Sequence, residues 1–113
     1  MLEARLTPLL QPDVIHVGGS AESRTIGPMA EAYSVGIAAH NAAGPISTAA
    51  TLQAVACMPN AQMQEMFAPG DAPWNDAPAL PPISIVEGKV RAPSGAGLGI
   101  ELDEAVAHAE AGY

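Results

Sequence analysis

Three ionisable side chains, Asp13, His40 and Glu65, fall at the starts or ends of short apolar runs, at intervals of 27 and then 25 positions. Where such runs form a parallel α/β sheet, reacting groups gather at the carboxyl ends of the strands. An imidazole titrates near neutrality, and a carboxylate beside it fixes its tautomer and favours its protonated form, so this trio could transfer a proton. Each residue also has an ordinary structural explanation. Pro12-Asp13 can simply begin a strand, His40 can be a loop histidine, and Glu65 can be a solvated edge charge.

The elements that must position these groups can be read from periodicity. Leu2, Leu6, Leu9 and Leu10 have helical spacing, which predicts the tail of a helix stopped by Pro12. Asp13-Val14-Ile15-His16-Val17, closed by Gly18-Gly19, predicts a buried strand. On that strand His16 alternates with Asp13 and points to the other face, a placement that favours packing or structural hydrogen bonding. A helix is expected from Ala21 to Tyr33, with Gly36 ending it and Gly27-Pro28 imposing a kink or a late start. Val35 to Ala39 predicts a second strand leading into His40. Pro45 then opens a helix from Ile46 to about Met58, with Leu52, Val55 and Ala56 facing the core. Met63-Gln64-Glu65 is a candidate third strand. The alternation is that of a parallel sheet with helical crossovers.

From residue 68 the chain turns to Pro, Gly, Asp and Ala through Pro82, which predicts a long loop. Ile83 to Val86, the turn Glu87-Gly88 and Lys89 to Arg91 predict a β-hairpin, and Asp103 can cap a terminal helix reaching Ala111. Ser94 to Gly99 lacks the spacing and the Lys-Ser/Thr ending of a phosphate loop. His108 is expected to face solvent.

Composition narrows the partners. A formal charge of -8 with only Arg5, Arg24, Lys89 and Arg91 as cations argues against nucleic-acid and anionic-membrane surfaces. No apolar run approaches a membrane span and no leader pattern opens the chain, so a cytoplasmic protein is expected. Cys57 is the sole cysteine, which excludes an internal disulfide and suggests inert packing.

Several ordered phrases resemble a known family. Gln11-Pro12-Asp13-Val14-Ile15-His16-Val17-Gly18-Gly19, Met29-Ala30-Glu31-Ala32-Tyr33, and Ala39-His40-Asn41 with Gly44-Pro45-Ile46 resemble the sixth and seventh β/α units of the mandelate racemase / muconate lactonizing enzyme family of the enolase superfamily. The likeness is strongest to its galactonate-dehydratase-like branch. Gln64-Glu65 resembles the end of the eighth strand, and Gly97 to Glu104 resembles the family's carboxy-terminal tail. The fold implied is a partial (β/α) TIM-type barrel: the last three units over residues 1–67, then a tail with hairpin and terminal helix over residues 68–113.

By that resemblance His40 is the acid/base catalyst, Asp13 orients its ring, and Glu65 stabilises charge on the substrate carboxylate. The reaction implied is proton abstraction beside the carboxylate of a sugar acid, an enediolate held by Mg²⁺, and loss of water. The resemblance places the Mg²⁺ ligands on strands three to five, outside this chain. It implies a homo-oligomeric parent and predicts that the 113-residue chain alone is catalytically silent. A racemase or epimerase of the same family and a non-catalytic truncated remnant are the alternatives. The chain departs from the branch at Ala39, Ala42-Ala43, Ser20-Ala21 and Gly27-Pro28.

Overall fold

A computed structural model describes residues 1–67 and 79–111. The first part is built on a three-stranded parallel sheet of β1 (Leu9–Leu10), β2 (Gly36–Ala39) and β3 (Ala61–Gln64), in the order β1-β2-β3. Two helices make the crossovers: α1 (Ser20–Glu31) between β1 and β2, and α2 (Pro45–Val55) between β2 and β3. Every residue of β2 is buried, as expected for the middle strand, whereas β1 and β3 are only partly covered. Ala30, Val35, Ile37, Ala39, Ala54 and Met58 form the core between sheet and helices, with Leu10, Ile26 and Val55 packed against it.

The amino-terminal third departs from the periodicity. Leu2 to Arg5 form turns and Leu9–Leu10 are a strand, so the predicted helix tail is absent. Leucine spacing cannot separate the two states over so short a run, and Pro8 and Pro12 bracket the pairing Leu9↔Gly36 and Leu10↔Ile37. The strand expected over Asp13–Val17 is a turn instead. The Ile15 amide donates to Asp13 Oδ1 at 2.8 Å, and the amides of His16 and Val17 both donate to the Asp13 carbonyl. Gly18 and Gly19, at φ 103 and 92, take the chain into a region that side-chain-bearing residues rarely adopt.

Helix α1 starts at Ser20 and runs through Gly27 and Pro28, so no late start occurs. A Cβ on Gly27 would lie 2.8 Å from Met58 Cγ, because α1 there presses against the segment that follows α2. Gly27→Ala is therefore expected to destabilise by about 1–3 kcal/mol, the range for overpacking, read as a lower urea midpoint at unchanged m-value. Gly36 does not end the helix. Ser34 takes the left-handed position at φ 60, and the Val35 amide donates back to the Ala30 carbonyl at 3.0 Å, a helix-ending pattern that frees Gly36 to begin β2.

Helix α2 opens with Pro45 in its first turn, as expected, and Leu52 is buried. Ala56 and Cys57 are exposed, which corrects their assignment to the core: the helix has ended at Val55 and turns away.

Most of the predicted long loop, residues 68–78, lies outside the described residues. Beyond it, β4 (Ala79–Leu80) pairs antiparallel with β7 (Glu101–Leu102), a contact the sequence did not suggest. The hairpin is present but shorter than expected, as β5 (Ile85–Val86) and β6 (Lys89–Val90). Asp103 Oδ1 accepts from the Val106 amide at 3.1 Å, capping α3 (Glu104–Ala111) as expected. His108 is exposed on that helix. Gln53 on α2 anchors the tail by donating to the Pro93 carbonyl at 2.6 Å. Among the described residues no helix is long and apolar enough to cross a membrane.

Candidate active site

Sheet order decides which residues meet. Because β2 lies in the middle, the residue just past its carboxyl end stands between the residues just past β1 and β3. That residue is His40. Its amide donates to the Pro12 carbonyl at 3.1 Å, and an isolated parallel bridge pairs it with Asp13. On the other side, the Glu65 amide donates to the Ala39 carbonyl at 2.9 Å. The parallel ladder thus brings all three candidates to one sheet edge.

His40 Nδ1 lies 2.7 Å from Asp13 Oδ2, within the range of a charge-assisted hydrogen bond. The Asp13 side chain is 9% exposed and the His40 side chain 39%. Both carboxylate oxygens of Asp13 are committed, Oδ1 to the Ile15 amide and Oδ2 to the imidazole, so the carboxylate cannot rotate without breaking a bond. Burial alone pushes the Asp13 carboxyl up. The hydrogen bonds from His40 and the Ile15 amide, with the charges of His16 and His40, outweigh it and hold Asp13 below its ordinary range. Asp13 is therefore an anion near neutrality, and an anion can only accept. The proton between the two groups belongs to His40 Nδ1, which leaves the Nε2 lone pair of the neutral ring free.

His40 itself is raised above the ordinary histidine value. The hydrogen bond to Asp13 raises it, partial burial opposes, and the negative charges of Glu65 and Asp13 add to the rise. Glu65 Oε2 stands 3.7 Å from His40 Nε2, with its side chain 54% exposed. That is beyond hydrogen-bonding distance, so the two interact through charge. His16 is not on an opposite strand face, because no strand exists there. It sits in the exposed turn, 3.9 Å from Asp13 Oδ2.

The two shifts set a pH window. A raised His40 contributes stability that is fully present below its unfolded value, about 6.5, and is lost as pH rises through its folded value. A depressed Asp13 contributes stability present above its unfolded value, about 3.9, and lost as pH falls through its folded value. The pair therefore stabilises most between about pH 4 and 6.5. The melting-temperature gap between the wild type and His40→Gln is expected to peak in that interval and narrow on both sides.

A cavity of about 580 Å³ lies between the loops that follow β1 and β2, lined by Val14, Ile15, Pro45 and Ile46 among others. Neither His40 nor Asp13 lines it, and its walls carry no ionisable group, so its size does not make it the reactive centre. Among the described residues no three His, Cys, Asp or Glu side chains are grouped to hold a metal ion. The sequence did not flag Asn41, which is 1% exposed, although its place directly after the histidine was a usable signal.

An imidazole between two carboxylates stands at the carboxyl edge of a parallel β/α sheet, where β/α-repeat enzymes gather their reacting groups, and the arrangement is chemically able to exchange a proton. Residues 1–106 match the enolase C-terminal domain-like family, and the chain belongs to the mandelate racemase / muconate lactonizing enzyme family of the enolase superfamily. It is 36% identical over 111 residues to a D-galactonate dehydratase of Ralstonia pickettii, covering 94% of this chain and 29% of the relative. It is 33% identical over 103 residues to a D-xylonate dehydratase of Haloferax volcanii, covering 91% and 25%. Among solved structures, a mandelate racemase/muconate lactonizing enzyme from Sulfitobacter sp. superposes with a TM-score of 0.86 at 39% identity, covering 96% of this chain and 26% of the other. The chain thus spans under a third of the length of each of these relatives.

Proposed function

We propose that this chain is the acid/base portion of a sugar-acid dehydratase, its three parallel strands and two crossover helices forming the last part of a (β/α) barrel. The observation that carries the reading is the His40–Asp13 hydrogen bond of 2.7 Å at the carboxyl end of the middle strand. Asp13 holds the ring through Nδ1, and His40 Nε2 is the atom that exchanges a proton with substrate. In the neutral ring Nε2 takes the proton from the carbon beside the carboxylate, and the imidazolium so formed gives it to the adjacent hydroxyl, which leaves as water. Glu65, on the Nε2 side of the ring, is assigned to the substrate carboxylate, whose charge it can stabilise only by donating from a proton-bearing oxygen, because two carboxylates repel. The dehydratase names of the relatives support an aldonic acid as the substrate class.

The Mg²⁺ of the resemblance does not fit the described residues, which group no ligand set for it. In this reading its ligands belong to the amino-terminal part of the barrel. A cytoplasmic location and a homo-oligomeric parent belong to the same reading.

The test is complementation. The chain is mixed or co-expressed with the amino-terminal portion of the Ralstonia pickettii D-galactonate dehydratase, and D-galactonate is supplied with Mg²⁺. A 2-keto-3-deoxy acid is expected from the pair and not from the chain alone. Exchange of a stereocentre without loss of water would replace the dehydratase reading with a racemase or epimerase. Turnover by the chain alone would overturn its partial nature.

A further inference from the structure

The 3.7 Å between His40 Nε2 and Glu65 Oε2 is not set by a hydrogen bond between them. It has to be set by whatever holds the two strand ends. Asn41 follows His40 and Gln64 precedes Glu65, and both side chains reach the same residue of α2. Asn41 Nδ2 donates to Thr48 Oγ1 at 2.8 Å, and Gln64 Nε2 donates to the Thr48 carbonyl at 3.4 Å. The Thr48 hydroxyl in turn donates to the Gly44 carbonyl at 3.3 Å. Its single proton is thereby used, so it accepts from the Asn41 amide, which fixes that amide's orientation.

We propose that Thr48 is the positioning residue of this site, joining the strand ends that carry His40 and Glu65 to the first turns of α2 and so fixing the separation of imidazole and carboxylate. The inference rests on reading Asp13, His40 and Glu65 as the reactive group. Thr48 is 3% exposed and Asn41 1%, so water does not compete for the bond between their side chains, whereas the Gln64 bond is part-buried. Among the described residues the carbonyl oxygens of the Asn41 and Gln64 side chains are buried without partners, and the bonds to Thr48 are the polar anchors of both amides. Among the described residues the His40 ring is hydrogen-bonded at Nδ1 alone. Where its Nε2 stands relative to Glu65 depends on the backbone that Asn41 and Gln64 restrain. Among the described residues the charged groups that face the ring are Asp13, Glu65 and, through Asp13, His16.

The experiment follows the His40 imidazole nitrogens by NMR through a pH titration of the wild type, Thr48→Val and Thr48→Ser. Valine keeps the shape and the backbone carbonyl but removes the hydroxyl, whereas serine keeps the hydroxyl. The His40 titration is expected to move down toward 6.5 in T48V and to return to the wild-type position in T48S. Where T48V does not fold, Asn41→Leu with Thr48→Val removes both polar partners together, which leaves no buried amide stranded. The same downward movement is expected. A lowered melting temperature with His40 titrating as in the wild type would make Thr48 merely structural and overturn the proposal. A wild-type His40 that titrates like free histidine would instead overturn the reading of the site, so the two failures are distinct.

Discussion

His40→Asn is expected to lower kcat on an aldonic acid by about 10²- to 10⁴-fold in the complemented enzyme, the range supplied by a positioned general acid/base. Asparagine can reach Asp13 but cannot carry a proton at the Nε2 position. Substrate binding does not require that proton to move, so KM is expected to change far less than kcat. A parallel loss in exchange of the proton beside the substrate carboxylate with solvent deuterium would locate the defect in proton transfer. Wild-type kcat in this variant would remove His40 from the chemistry.

Asp13→Asn is expected to cost about 10³- to 10⁴-fold in kcat, for a reason visible in the hydrogen bonds. Oδ1 of Asp13 accepts from the Ile15 amide at 2.8 Å, so the asparagine oxygen has to occupy that place. Its NH₂ group then stands where Oδ2 faced His40, and it donates to Nδ1. The imidazole is forced to carry its proton on Nε2, the nitrogen that must be free to act as base. The loss of the negative charge also lowers the His40 titration, opposite in sign to the effect of the wild-type carboxylate. Both changes are read from the pH profile of kcat and from the nitrogen shifts of His40. Asp13→Glu, which restores a charge at altered reach, is expected to recover part of the titration shift.

The juxtaposition of the three candidate residues is more legible in the sequence than the elements around them. His40 and Glu65 were placed at strand ends by local signals: an apolar run into the histidine, the Gly44-Pro45 helix start, and Pro59-Asn60 closing the next turn. Asp13 was singled out although its supposed strand is a turn. The β-branched run Val14-Ile15-Val17 carries strand propensity, but the capture of the Ile15 amide by the Asp13 side chain and the positive φ of Gly18 and Gly19 override it. The leucines at 2, 6, 9 and 10 misled for a related reason, since a strand of two residues offers no alternation to count. Pairing of Ala79–Leu80 with Glu101–Leu102 joins segments far apart in the chain, and no local pattern announces it. The Asn41–Thr48 bond is similarly invisible until α2 turns Thr48 back toward the strand end.

The relation between Asp13 and His40 can be read directly from which imidazole nitrogen holds the proton. In a long-range ¹H–¹⁵N spectrum taken above the His40 titration, the neutral ring is predicted to be protonated at Nδ1, with a downfield Hδ1 bound to Asp13 and a bare Nε2. A ring protonated at Nε2, or one interchanging between tautomers as free histidine does, would contradict the proton-transfer site proposed here.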